Sequence, residues 1–259
     1  MFREDTFDGK TVLITGGGTG IGKRTALEFA AHGASVGVAA RREEPLAQTV
    51  EEIEAAGGEG SWRTLDIRDE ERIEEVIDAF WEDWGRIDVL INNAGANFIS
   101  PAAGITPNGW RTVVDINLNG TFLMSRAVGQ KMIGDGEGGR IINMSATNAS
   151  NGSPMICHSG ASKAGINSMT ETLAVEWGPA GVTVNAISPG PVRTEGSDKQ
   201  LWQDEDLVEN LRSQIPLGRF ATPEDIAPLA MFIAWEVGGF LNGGLIPLDG
   251  GERLRTPNA

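Results

Sequence analysis

Short apolar runs alternate with longer amphipathic stretches from one end of this chain to the other, and that alternation leaves few folds open. Residues 10–15, 35–39, 61–66, 87–91, 140–144, 182–187 and 244–248 read as strands. Between them, residues 21–32, 43–56, 69–84, 108–132 and 159–178 read as helices, and the third of these puts Ile73, Val76, Ile77 and Phe80 on one face. Thr222-Pro223-Glu224-Asp225 starts a further helix, with a capping Thr, Pro in the first turn and acids at the positive end of the dipole. Strands too apolar to have a wet face, each followed by a helix, imply a parallel sheet covered on both sides. With no internal repeat or linker, the 259 residues are expected to form one doubly wound α/β domain over 1–259. The polar stretch 195–215 breaks the rhythm, holds a short helix near 204–213, and is expected to act as a lid.

Composition removes several functions. Acids outnumber cations 36 to 21, a formal charge of −15, so a nucleic-acid partner is not expected. Cys157 is the single cysteine, which excludes an intrachain disulfide and metal-finger spacing; it is expected to be a small buried hydrophobe, and no metal is expected. The N-terminal stretch mixes charges of both signs without an apolar centre, and no apolar run approaches the roughly 20 residues of a membrane helix. A cytoplasmic protein with no membrane partner is the expectation.

The first strand runs into Thr15-Gly16-Gly17-Gly18-Thr19-Gly20-Ile21-Gly22, which opens the first helix. Glycines there let the backbone turn sharply and approach a pyrophosphate, which the free N–H groups of a helix N-terminus then bind. Gly16, Gly18, Thr19, Gly20 and Ile21 are the candidate contacts. A ribose 2′-hydroxyl would call for an acid at the end of the second strand; the chain instead has Ala40, Arg41 and Arg42. A guanidinium binds a 2′-phosphate in a bidentate manner, so NADP(H) is the expected cofactor; a pair of solvated arginines is the alternative.

Further motifs follow in order. Asp66-Ile67 ends the third strand, Asn92-Asn93-Ala94-Gly95 the fourth, Asn117 lies in the long fourth helix, Lys163 in the fifth, and Pro189-Gly190-Pro191-Val192-Arg193-Thr194 follows the sixth strand, with Asp249-Gly250-Gly251 near the C-terminus. Over nearly its whole length the chain resembles the short-chain dehydrogenase/reductase family, a Rossmann-fold group. The resemblance implies that Asp66, Ile67, Asn93, Ala94, Gly95, Pro189, Gly190, Val192 and Thr194 contact the cofactor, that Lys163 binds its nicotinamide ribose, that Asn117 is catalytic, and that the protein is a homotetramer.

The departures are as informative. Four residues before Lys163 the family has a tyrosine; here it is Ser159, and the chain contains no tyrosine at all. The family serine falls at Ala146, one residue after Ser145. Reducing a ketone produces an alkoxide that needs a positioned acid. Reducing the conjugated C=C of a thioester produces an enolate that needs hydrogen-bond donors at oxygen and takes its proton later, on carbon. A site without the phenol suits the second reaction. Asn97-Phe98-Ile99-Ser100-Pro101, Asn119-Gly120-Thr121 and His158-Ser159-Gly160-Ala161-Ser162-Lys163 are similar to the corresponding stretches of 2,4-dienoyl-CoA and trans-2-enoyl-CoA reductases, enzymes of fatty acid metabolism. That narrower resemblance implies that Asn97 holds the thioester oxygen, that Asn148 stands where a displaced tyrosine would, that Phe98 and Thr106 line an acyl pocket, and that Arg68 meets CoA phosphates unless it pairs with Glu71 or Asp69. His158 is expected to be a structural hydrogen-bonder. Two other readings stay open: a carbonyl reductase or alcohol dehydrogenase using Ser145, Ser159 or His158 with water, and a catalytically silent NADP(H)-binding protein.

Overall fold

The structure, a computed structural model, describes residues 2–200 and 205–254. Seven parallel strands form one sheet in the order β3-β2-β1-β4-β5-β6-β7: β1 (Thr11–Thr15), β2 (Ser35–Ala40), β3 (Glu59–Thr64), β4 (Val89–Asn92), β5 (Gly139–Met144), β6 (Val182–Pro189) and β7 (Leu245–Leu248). The third strand therefore starts and ends two residues earlier than expected, which leaves Leu65 to Asp69 as a turn above the sheet.

Strand side chains alternate between two cores, as a period of two demands. Val12, Ile14, Val36, Val38 and Ile91 face the layer of α1 (Gly20–Ala30), α2 (Glu43–Ala55) and, C-terminally, α9 (Pro223–Ala234). Leu13, Leu90, Ile141 and Val184 face α3 (Glu70–Trp84), α5 (Gly120–Asp135) and α6 (Cys157–Trp177). Helix ends follow local chemistry. Asp69 caps α3 by accepting from the Arg72 amide at 3.0 Å, and Gly85 closes it in the left-handed conformation. At α9, Thr222 and Asp225 form a reciprocal capping box, and the Arg219 guanidinium holds the Asp225 carboxyl down at about 2.

The expected helix over 108–132 is broken. Helix α4 (Pro107–Val114) passes into α5 through a π-helical turn, Asp115–Asn119, which holds Asn117. The expected helix at 159–178 begins two residues earlier, at Cys157, whose side chain is exposed rather than buried. In the polar stretch, α7 (Glu195–Gln200) and α8 (Glu205–Ser213) are present; residues 201–204 of the expected lid lie outside the described residues. Among the described residues no helix is long and apolar enough to cross a membrane, and no cluster of ligating side chains forms a metal site.

Candidate active site

Strand order reverses between β1 and β4, and a crevice opens there at the carboxyl ends of the strands. The turn after β1 enters it. Gly16 has φ +69°, and a Cβ on it would lie 2.9 Å from Asn93 Nδ2, so glycine is required for both conformation and space. Asn93 fastens the turn by donating from Nδ2 to the Thr15 carbonyl at 3.0 Å, while Thr15 Oγ1 accepts from the amides of Asn93 and Ala94. Gly18, Thr19, Gly20 and Ile21 follow into α1. Gly20, at φ +54°, leaves room for Thr194, whose Cγ2 would stand 3.3 Å from a Cβ there, so the β1 turn and the loop after β6 meet over the crevice. That loop is tied down by the Gly190 amide, which donates to Leu248, and by a parallel bridge from Val192 to Ala221; Pro189 ends β6.

Arg41 and Arg42 are exposed at the end of β2 and have no ion-pair partner among the described residues. Arg41 acts at a distance on the Asp66 carboxyl, and both guanidiniums keep their hydrogen-bond donors open to solvent. Arg68 behaves differently. It grips Asp66, with Nε donating to Oδ1 at 2.9 Å and Nη2 to Oδ2, instead of the expected Asp69 or Glu71. The guanidinium keeps the Asp66 carboxyl below the usual range. Beside them Ile67 is buried in the core of the α3 side.

Three elements converge at the inner end of the crevice. Asn117, buried in the π-turn, donates from Nδ2 to the Ala96 carbonyl and to Ser162 Oγ, both at 3.1 Å, and accepts the Ala96 amide at 2.8 Å. Its side chain is thus committed to the protein: it fixes both polar groups of the residue before Asn97 and ties that loop to α6. A Cβ on Gly95 would lie 3.3 Å from Asn117 Oδ1 and 3.9 Å from Lys163 Nζ, so the turn after β4 passes close to both. The half-buried Lys163 donates to the Met144 carbonyl at the end of β5, and desolvation pulls its ammonium down to about 8.

The hydroxyls around Lys163 are engaged unequally. Ser145 is buried and donates to Asn167 Oδ1 at 2.6 Å, facing the interior. Ser159, also buried, accepts a long hydrogen bond of 3.4 Å from Asn148 Nδ2, and Asn148 Oδ1 has no partner. Asn97 Oδ1 accepts the Phe98 amide at 2.9 Å, which leaves its Nδ2 as a donor with no partner among the described residues. Thr106 caps α4 by accepting the Gly109 amide at 3.0 Å, and the same Gly109 lies against Phe98. His158 does not hydrogen-bond as expected: it is fully buried, both ring nitrogens lack partners, and its ring packs on Phe98 with centroids 4.1 Å apart.

Spacing did not reveal the buried ladder beneath the site. Asn92 and Asn143 stand side by side in the β4–β5 register; Asn92 donates to Asn143 Oδ1 at 2.9 Å and to Ser125, and Asn143 donates to Thr170 on α6. It locks the carboxyl ends of both strands to α5 and α6.

A glycine turn at the switch point, with a half-buried lysine and a buried asparagine at its inner end, is the arrangement of a nicotinamide-dependent oxidoreductase. The chain belongs to the short-chain dehydrogenase/reductase family, and a family model described as enoyl-(acyl carrier protein) reductase matches residues 16–252. It is 42% identical over 246 residues, 95% of this chain and 97% of the relative, to a probable 2,4-dienoyl-CoA reductase, (2E)-enoyl-CoA-producing, of Bacillus subtilis. It is 40% identical over 257 residues, 98% of this chain and 83% of the relative, to a probable 2,4-dienoyl-CoA reductase 3, (3E)-enoyl-CoA-producing, of Caenorhabditis elegans. The crystal structure of a short chain dehydrogenase from Bacillus anthracis superposes with a TM-score of 0.88 at 42% identity, over 96% of this chain and 98% of the other.

Proposed function

We propose that the protein reduces the conjugated carbon–carbon double bond of an enoyl- or dienoyl-CoA thioester with NADPH. The observation that carries this reading is the unspent Nδ2 donor of Asn97 in a site whose phenol is missing and whose Ser145 hydroxyl is spent on Asn167. The names of its relatives agree with it. Arg41 and Arg42 bind the 2′-phosphate, the glycine turn takes the pyrophosphate, Asp66 and Ile67 flank the adenine, and Lys163 binds the nicotinamide ribose. NADPH supplies the hydride when bound. Asn97 donates to the thioester oxygen as negative charge collects there, Asn117 keeps Asn97 in place through Ala96, and Asn148 adds polar contact beside Ser159. Protonation at carbon completes the reduction and draws on solvent, so no side-chain acid is required. The reading includes fatty acid metabolism, a cytoplasmic location and a homotetramer, in which the exposed Phe122 and Ile133 of α5 and Val175 of α6 become covered.

The test is NADPH oxidation measured side by side with a dienoyl-CoA, an enoyl-CoA and a simple ketone. Thioester substrates are expected to turn over and the ketone only weakly. Ser159→Ala is expected to be nearly silent, and Ser159→Tyr to impair thioester reduction by crowding without creating a good ketone reductase. Ketone reduction that Ser159→Ala abolishes would establish the carbonyl-reductase reading instead. NADPH is expected to bind at least ~10-fold tighter than NADH, about 1.4 kcal/mol, a modest demand on one charge-assisted contact. Arg41→Ala should remove most of that gap in a fluorescence titration, and equal affinities in the unmodified protein would refute the assignment.

A further inference from the structure

Phe98 follows the proposed oxygen-binding Asn97 directly, and its amide donates to Asn97 Oδ1, so its ring stands next to the thioester site of that reading. Two features hold that ring. On one helix, Gly109 offers no side chain, and a Cβ there would stand 3.1 Å from Phe98 Cζ and 3.3 Å from Thr106 Oγ1. On the other, the buried His158 ring packs on Phe98 at 4.1 Å, tilted by 41°. Helices α4 and α6 pack on each other, so the ring is lodged at their junction. His158 makes no hydrogen bond with either nitrogen, so it is no crosslink between elements. Its burial holds the imidazole below its ordinary titration range and therefore neutral near pH 7. It acts on Phe98 as an aromatic plate. Around the same point the Ser100 amide donates to the Met155 carbonyl at 2.8 Å, which joins the loop after β4 to the segment before α6, and Ile99 and Met155 on these loops are exposed apolar side chains.

We infer that Gly109 and His158 are specificity-determining residues that fix the position of Phe98 and thereby the width of the channel for the acyl chain. The inference rests on the thioester reading above. The missing Cβ of Gly109 is the space into which the Phe98 ring tip fits. Filling it drives the ring away from α4, and His158 blocks retreat toward α6, so the ring moves into the path of the chain. A chain long enough to cross Phe98 is penalised more than a short one.

The experiment measures kcat/KM for a short-chain and a long-chain 2,4-dienoyl-CoA with the unmodified enzyme and three variants, together with thermal melting. Gly109→Ala is expected to lower the long-over-short ratio about 10-fold, the scale of one methylene in an apolar pocket. Alanine is the better helix former, which offsets part of the cost of displacing one ring, so the protein should still melt cooperatively, with only a small fall in melting temperature. Phe98→Ala is expected to raise the ratio, and His158→Phe, which keeps the aromatic plate, to leave it unchanged. An unaltered ratio in Gly109→Ala, or an equal loss for both chain lengths, would overturn the inference while the thioester reading stands. Turnover of neither substrate by the unmodified enzyme would overturn both.

Discussion

Lys163→Ala is expected to weaken cofactor binding and slow turnover together, lowering kcat/KM on the order of 10²-fold, the scale of removing one preorganised electrostatic contact. Lys163 is anchored to the Met144 carbonyl, so its ammonium is held at the inner end of the crevice beside Gly95 and Asn117. Burial draws its titration down to about 8 from the ordinary lysine range. Two pH dependences of opposite sign follow. Function needs the charged form, so kcat/KM, which reports groups of the free enzyme, should fall as pH rises through about 8. Stability should move the other way. Above about 8 the folded protein has released a proton that the unfolded chain still binds, so stability rises with pH from there to the unfolded lysine range. In Lys163→Met both trends should vanish. A steep alkaline loss of activity that persists in Lys163→Met would assign that limb to another group.

Asn97→Ala is expected to lower kcat on the order of 10²-fold with little change in KM, the pattern of a donor whose contact strengthens in the transition state. The side chain is divided between two tasks. Oδ1 holds the Phe98 amide, which keeps the loop in shape, and Nδ2 is left for the substrate. Asn97→Asp separates them: it retains the acceptor, loses the donor and adds negative charge where the enolate forms. It should therefore be at least as damaging as alanine in steady-state turnover while melting like the unmodified protein. If Asn97→Asp keeps normal kcat, the oxygen-binding role belongs elsewhere. Asn117→Ala should reproduce part of the loss, because Asn117 fixes both polar groups of Ala96.

What was legible in the sequence was local. The glycine turn and the arginines after β2 depend on residues a few positions apart and stand where expected, and the alternation of strands and helices holds in order, although β3 and α6 begin two residues early. What escaped depends on distance or phase. The Asn92–Asn143–Thr170 ladder exists only because β4 and β5 pair in one register, which no local pattern specifies. Arg68 could be matched with any nearby acid, and only the early end of β3 turns it toward Asp66. His158 and Cys157 adjoin in sequence yet differ completely in exposure, because the first turn of α6 faces α4 on one side and solvent on the other. The π-turn was hidden because Asp115-Ile116-Asn117-Leu118-Asn119 is as compatible with an unbroken helix as with one holding an extra residue.

That extra residue makes this segment hard to shorten gradually. A π-turn takes up one extra residue in a single widened turn and leaves the flanking α-helices in phase, so deleting one position between Val114 and Gly120 would restore a plain α-helix with α5 still facing the core. What would be lost is the bulge that sets Asn117 against Ala96 and Ser162. Point substitutions can retune a pocket side chain by side chain, but the spacing of this stretch is all-or-nothing. For anyone redesigning the protein by recombination or loop exchange, a crossover placed inside residues 115–119 carries a far greater hazard than one placed in the turns on either side.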